Sequence, residues 1–121
     1  MKINFSVQDI VDIHEEIIKC YGGDRGVVSL SSLDFVLNFT SESNNEEFFD
    51  ILGKILRAIV IDHPFVDGNK RTGIVVIESI LEDNNMILSI DEIQKEEFIL
   101  KIAKMELSLK KIIEYLKNNV D

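Results

Sequence analysis

The chain has 121 residues, enough for one domain (residues 1–121) that buries roughly two-thirds of its unfolded surface without disulfides or metal staples. Its formal net charge of −9 argues against direct nucleic-acid binding, because phosphate backbones demand clustered Lys and Arg. There is no basic-then-apolar leader and no apolar run near the roughly 18 residues of a membrane span, and a lone Cys20 cannot form an internal disulfide, so a cytoplasmic, reducing setting is expected.

The first predicted helix opens at Ser6-Val7-Gln8-Asp9, which reads as a capping box, and Ile10, Val11, His14, Ile17 and Ile18 follow at helical spacing. Cys20 closes this apolar stretch and is expected in the core, and Gly22-Gly23 stops the helix. Ser31-Ser32-Leu33-Asp34 starts a short second helix carrying Leu33, Val36, Leu37 and Phe39, and Thr40 to Asn45 form a polar loop. From about Glu46 a longer helix turns Phe48, Phe49, Leu52, Ile55, Leu56, Ile59 and Val60 inward. It must stop near His63, because Pro64 disfavours helix at its predecessor and supplies no N–H.

Beyond that point two readings compete. The stretch Val66 to Lys70 suits a hairpin turn and the β-branched Ile74-Val75-Val76-Ile77 suits a strand. Helix is favoured, because positions 74, 77, 80 and 81 make an apolar stripe and Glu78, Glu82 and Asp83 fill the other side. Asn84-Asn85 ends that helix and Met86-Ile87-Leu88 is a short apolar run. Ser89 or Asp91 then caps a helix through Ile93, Phe98, Ile99, Ile102 and Met105, and Ser108 begins the last, with Leu109, Ile112, Ile113 and Leu116. The expected fold class is an all-α bundle of about six helices.

Residues 63–73 carry the chemistry. This loop holds His63, one of two histidines, the only proline, an Asp-Gly turn and the only Lys-Arg pair. If a helix starts after Gly68, its exposed N–H groups and positive dipole end form an anion site. Lys70 and Arg71 would then sit in the first turn, where each cation is disfavoured by about 0.3–1 kcal/mol unless a polyphosphate outweighs that term. Asp67, a hard oxygen ligand, suits magnesium, which binds through one or two carboxylates plus substrate phosphates. His63 suits proton transfer from an attacking hydroxyl, with Pro64 and the apolar anchor Phe65 fixing its direction.

The string His63-Pro64-Phe65-Val66-Asp67-Gly68-Asn69-Lys70-Arg71 resembles the signature of the Fic/Doc superfamily, and within it the Doc (death-on-curing) branch. Val11 to Glu15 with Gly22 to Gly26 is similar to the family's N-terminal helix and Gly-Gly turn, Leu33 to Leu37 to its second helix, and Met105 to Leu109 to the start of its final helix. The resemblance implies a Fic-like helical bundle with a flap, here shortened at Thr40 to Asn45. In AMP-transferring relatives a glycine follows the asparagine and a second arginine stands three residues past the first; Lys70 and Ile74 occupy those places here, and both departures point to Doc. That branch is understood to use ATP and magnesium and to pass the γ-phosphoryl group to a hydroxyl of a target protein, elongation factor Tu being the known one. The resemblance thus implies His63, Lys70 and Arg71 as catalytic residues, Asp67 as the magnesium ligand, and Phe65, Gly68, Asn69, Lys70 and Arg71 around the nucleotide. It also implies a toxin restrained by an antitoxin protein in trans, because the family's inhibitory string (Ser or Thr, three residues, then Glu and Gly or Asn) does not occur in these residues. The competing readings are transfer of AMP to a protein hydroxyl and a catalytically silent binding module.

Outside the loop the candidates are weaker. His14 reads as a satisfied core histidine, with a secondary site role implied only by resemblance, and Arg25 reads as solvated.

Overall fold

The computed structural model describes residues 1–38 and 44–121. Ser6 and Asp9 exchange their capping-box bonds (Asp9 N–H to Ser6 Oγ 3.1 Å, Ser6 N–H to Asp9 Oδ2 2.8 Å) and start α1, Val7–Tyr21. The helix ends on Gly22, whose φ of 84° lets its N–H fold back onto Ile18 O. Ile10, His14, Ile17 and Ile18 are buried. Cys20, expected in the core, is exposed instead: the buried stripe ends at Ile18, and the last turn, Lys19 to Tyr21, lies open to water.

The short α2, Ser31–Leu37, starts on Leu30 without a side-chain cap and buries Leu33. Phe39 and most of the expected flap, Thr40 to Ser43, lie outside the described residues. The longest helix is α3, Asn45–Asp62, capped by Asn44, which accepts the Glu47 N–H at 2.9 Å. All seven of its expected inward residues are buried, and it packs against α2, α4 and the two helices that follow.

After the loop comes α4, Asn69–Asp83, a helix and not a strand. Its buried face is wider than the apolar stripe suggested: Val76, Ile77, Ile80 and Leu81 are joined by Asn69, Thr72 and Gly73, while Ile74 is only half-buried. Gly73 lets α4 approach α3 closely, since a Cβ there would stand 3.0 Å from Val60 and 3.1 Å from Leu56. Asp91, and not Ser89, caps α5, Glu92–Ala103. Ile93 and Met105 are not inward: Ile93 lies off the Phe98–Ile99–Ile102 stripe, and Met105 falls beyond the helix end with a φ of 59°. Ser108 caps α6, Leu109–Asn119, which buries Ile112 and Leu116 and stacks Tyr115 on Phe98 at 4.0 Å. The chain end returns to Met86–Leu88, with Ile87 and Asp121 exchanging backbone bonds of 2.9 Å.

The described residues thus form six helices with isolated bridges and no strand, the all-α bundle expected. None of these helices is long and apolar enough to cross a membrane. The α3–α4 junction sits at one end of the central pair, where α1 and the turn after it close over it.

Candidate functional site

Helix α3 ends where Pro64 requires it to. His63 is the cap residue, in the left-handed region at φ 49° and ψ 66°. A non-glycine residue held there stores strain on the order of 1 kcal/mol, and such strain gathers at functional sites. The His63 side chain is exposed. Residues 26–29 run antiparallel beside the loop and hold its backbone: Val66 N–H donates to Gly26 O at 2.8 Å, and Val28 N–H to Pro64 O at 2.7 Å.

Two buried polar side chains shape the loop from beneath. His14, 1% exposed, stacks flat on Phe65 (3.8 Å between centroids, 5° between planes), and its Nε2 donates to Asp67 O at 2.7 Å. Asn69, 7% exposed, accepts the Phe65 N–H at 3.1 Å, donates to Phe65 O at 2.8 Å, and places Nδ2 at 3.3 Å from His63 Nδ1. His14 is therefore a satisfied core histidine whose work is to tie α1 to the loop across 53 residues of sequence.

Two expectations change. Phe65, expected against the nucleotide, is 1% exposed; its ring seals the loop onto His14 and is not open to a ligand. The Asn69 side chain, expected to cradle phosphate, has its amide groups engaged by Phe65 and His63, which leaves only its backbone N–H for a ligand.

The other expected residues stand open. Asp67 is exposed; Oδ1 accepts the Gly68 N–H at 2.9 Å and Oδ2 the Asp24 N–H at 3.4 Å. Gly23, at φ 114°, makes room for that carboxylate, because a Cβ there would stand 2.7 Å from Asp67 Oδ2. Gly68 then begins α4 in the left-handed conformation, φ 77°, with no side-chain cap, and the first helical acceptor it provides goes to Thr72 N–H at 2.9 Å. The N–H groups of Asn69, Lys70 and Arg71 are left pointing out of the helix end. Lys70 and Arg71 are exposed, and neither forms an ion pair among the described residues. Arg71 lies 4.0 Å over the ring of Tyr21, itself 66% exposed.

The site therefore combines an uncapped helix start with two cations, an exposed imidazole and an exposed carboxylate. Its polarity suits a polyphosphate. Among the described residues no group of three or more His, Cys, Asp or Glu side chains converges, so Asp67 fits a metal brought in largely by phosphates and not a closed protein cage. Tyr21, Gly23 and Asp24 were not read as site residues; the Gly-Gly turn signalled a helix stop but not that the turn would touch Asp67.

The family model described as Fic/DOC family matches residues 4–81, more than half of the chain. The match takes in α1 through most of α4 and ends before α5 and α6, so the likeness read at residues 105–109 lies beyond it. No curated protein matches the chain.

Proposed function

Because the chain belongs to the Fic/Doc family, we propose that it is a transferase of the Doc branch, moving the γ-phosphoryl group of ATP to a hydroxyl of a target protein. Domains of this family often transfer AMP or phosphoryl groups, generally with ATP and magnesium. The observation that carries the proposal is the start of α4: a helix end without a side-chain cap, bearing Lys70 and Arg71 free of carboxylate partners among the described residues, next to an exposed His63. Lys70 where nucleotidyl-transferring relatives have glycine, and Ile74 where they have arginine, favour phosphoryl over AMP transfer.

In this reading the helix-start N–H groups, Lys70 and Arg71 hold the phosphates and neutralise charge that grows as transfer proceeds. The target oxygen bonds to the γ-phosphorus as the bond to the bridging oxygen breaks, ADP departs, and His63 takes the hydroxyl proton. Magnesium held by Asp67 and the phosphates would screen their charge. Elongation factor Tu is the target implied by resemblance, and growth arrest by a toxin would follow. Restraint would come from an antitoxin in trans lying along the bundle. An apolar groove of about 340 Å³ floored by Ile13, Ile17 and Val75 offers a surface of that kind.

Labelled ATP tests the reaction. Incubation with elongation factor Tu should move γ-label, and not α-label, to protein. Transfer of α-label would make the chain an AMP-transferase, and transfer of neither would leave a silent binding module.

A further inference from the structure

Asn69 lies behind His63, and its bonding decides which ring nitrogen carries the proton. The amide cannot be turned round: Oδ1 accepts the Phe65 N–H at 3.1 Å and Nδ2 donates to Phe65 O at 2.8 Å, both in a buried setting. Reversing it would set NH2 against N–H and oxygen against oxygen, leaving two buried backbone groups unsatisfied. The group facing His63 Nδ1 at 3.3 Å is therefore an N–H donor. A ring nitrogen opposite a donor presents its lone pair, so the neutral imidazole carries its proton on Nε2.

We infer that Asn69 is a positioning residue that holds His63 in the Nε2–H tautomer, withholding the Nε2 lone pair from an incoming hydroxyl until the contact breaks. This rests on the reading of His63 as the base and adds a restraint to it. Only a lone pair can take a hydroxyl proton. With Asn69 in place, Nε2, on the far side of the ring, instead donates a hydrogen bond, which suits a phosphate oxygen. In serine proteases, asparagine in place of the aspartate behind the catalytic histidine lowers kcat about 10⁴-fold by imposing the wrong tautomer. Here asparagine is the resident residue. At 3.3 Å the contact is long for a hydrogen bond and is readily given up when substrates engage the exposed ring.

The test is nitrogen-15 NMR of the full chain, reading which ring nitrogen of His63 bears hydrogen at a pH where the ring is neutral. It needs neither ATP nor a target protein, so an inactive enzyme would remove the proposed reaction without touching this result. The only other histidine, His14, is distinguished with His63→Ala. The wild type should show an unprotonated Nδ1 and a protonated Nε2. Asn69→Asp, which offers only an acceptor, should bring a proton onto Nδ1. A wild-type ring protonated on Nδ1 or exchanging between tautomers would overturn the inference, as would a folded Asn69→Asp chain with an unchanged His63 spectrum. If losing the donor to Phe65 O unfolds Asn69→Asp, the His63 tautomer ratio of the wild type is set against that of free N-acetylhistidine amide in the same buffer, and a ratio no further towards Nε2–H than the free one overturns the inference.

Discussion

At the start of α5, Asp91 accepts the Gln94 N–H at 2.8 Å, Gln94 returns the bond at 3.0 Å, and Glu92 adds negative charge in the first turn; at the start of α4 the cap is Gly68, with no side chain to offer, and the first turn carries Lys70 and Arg71. Helices α1, α3 and α6 share the side-chain cap, with Ser6, Asn44 and Ser108, although α6 carries Lys110 and Lys111 in its first turn. A side-chain cap contributes about 1 kcal/mol, and each first-turn charge about 0.3–1 kcal/mol of either sign. Helix α4 thus forgoes a stabilisation that four other helices take. It holds together through its buried face, where Val76, Ile77, Ile80 and Leu81 enter the core and Gly73 meets Val60 and Leu56 of α3. Its open end sets a bare cap and two first-turn cations against the helix's own stability, and the proposed phosphates resolve that conflict.

The largest effect should come from removing the group that gives the open end of α4 its reaction. His63→Ala should lower phosphoryl transfer roughly 10²–10⁴-fold, measured with γ-labelled ATP, because a general base contributes about that much. The side chain is exposed, so unfolding curves should barely move. Equal transfer by wild type and variant would sink the role of His63. Next in size is Gly23→Ala, which drives a methyl to 2.7 Å from Asp67 Oδ2 and forces a non-glycine residue to φ 114°. Stability should fall by roughly 1–3 kcal/mol in urea unfolding. Transfer should fall further than that loss explains, with a rise in the magnesium concentration needed, since the carboxylate is displaced. An unaltered magnesium dependence would show that Asp67 is not the ligand.

How far the sequence reveals this arrangement depends on how local the signal is. Helix α3 was legible throughout because its apolar residues recur over five turns with nothing else asked of them. The start and stop of α1 were legible because Ser6, Asp9 and Gly22 act within a few residues of themselves. The helical state of α4 could be read from positions 74 to 81, but the burial of Asn69, Thr72 and Gly73 could not, because polar and small residues leave no hydrophobic trace. The motif sets Phe65 and Asn69 against the nucleotide only because they lie within it. Their true partners are the His14 ring, 51 residues away, and each other, and spacing does not encode such contacts. Cys20 and Ile93 failed for a simpler reason: an apolar residue just off a stripe looks the same in sequence as one on it.

Smaller effects separate the stability of a helix start from its capacity to bind phosphate. Lys70→Glu exchanges a disfavoured first-turn cation for a favoured anion, so α4 should gain about 0.6–2 kcal/mol by two such terms while ATP binding, read by calorimetry, is lost. Asp91→Ala should do the reverse, costing α5 about 1 kcal/mol and leaving ATP binding intact. If Lys70→Glu lowered stability instead, the contrast drawn between the two helix starts would be wrong.

The smallest effect lies where the two helices meet. Lys95 on α5 reaches Glu78 on α4 and Glu92 on its own helix, each at 3.1 Å, with its side chain 16% exposed. The hydrogen bond that Lys95 donates to Glu78 leads in raising the Lys95 pKa above its ordinary 10.5; burial opposes it, and the bond to Glu92 and the charges of both acids assist. Because the folded value is the raised one, the tie's stability is fully present below the unfolded value and is lost as pH climbs through the folded one. Lys95→Met keeps most of the apolar stem and removes the charge, so it should cost about 1 kcal/mol or less at neutral pH. That difference should hold up to about pH 10.5 and shrink above it, in paired urea titrations. Phosphoryl transfer should be unaffected throughout, since neither Glu78 nor Lys95 belongs to the open end of α4. A difference that persisted undiminished at high pH would mean that packing of the lysine stem, and not its charge, joins α4 to α5.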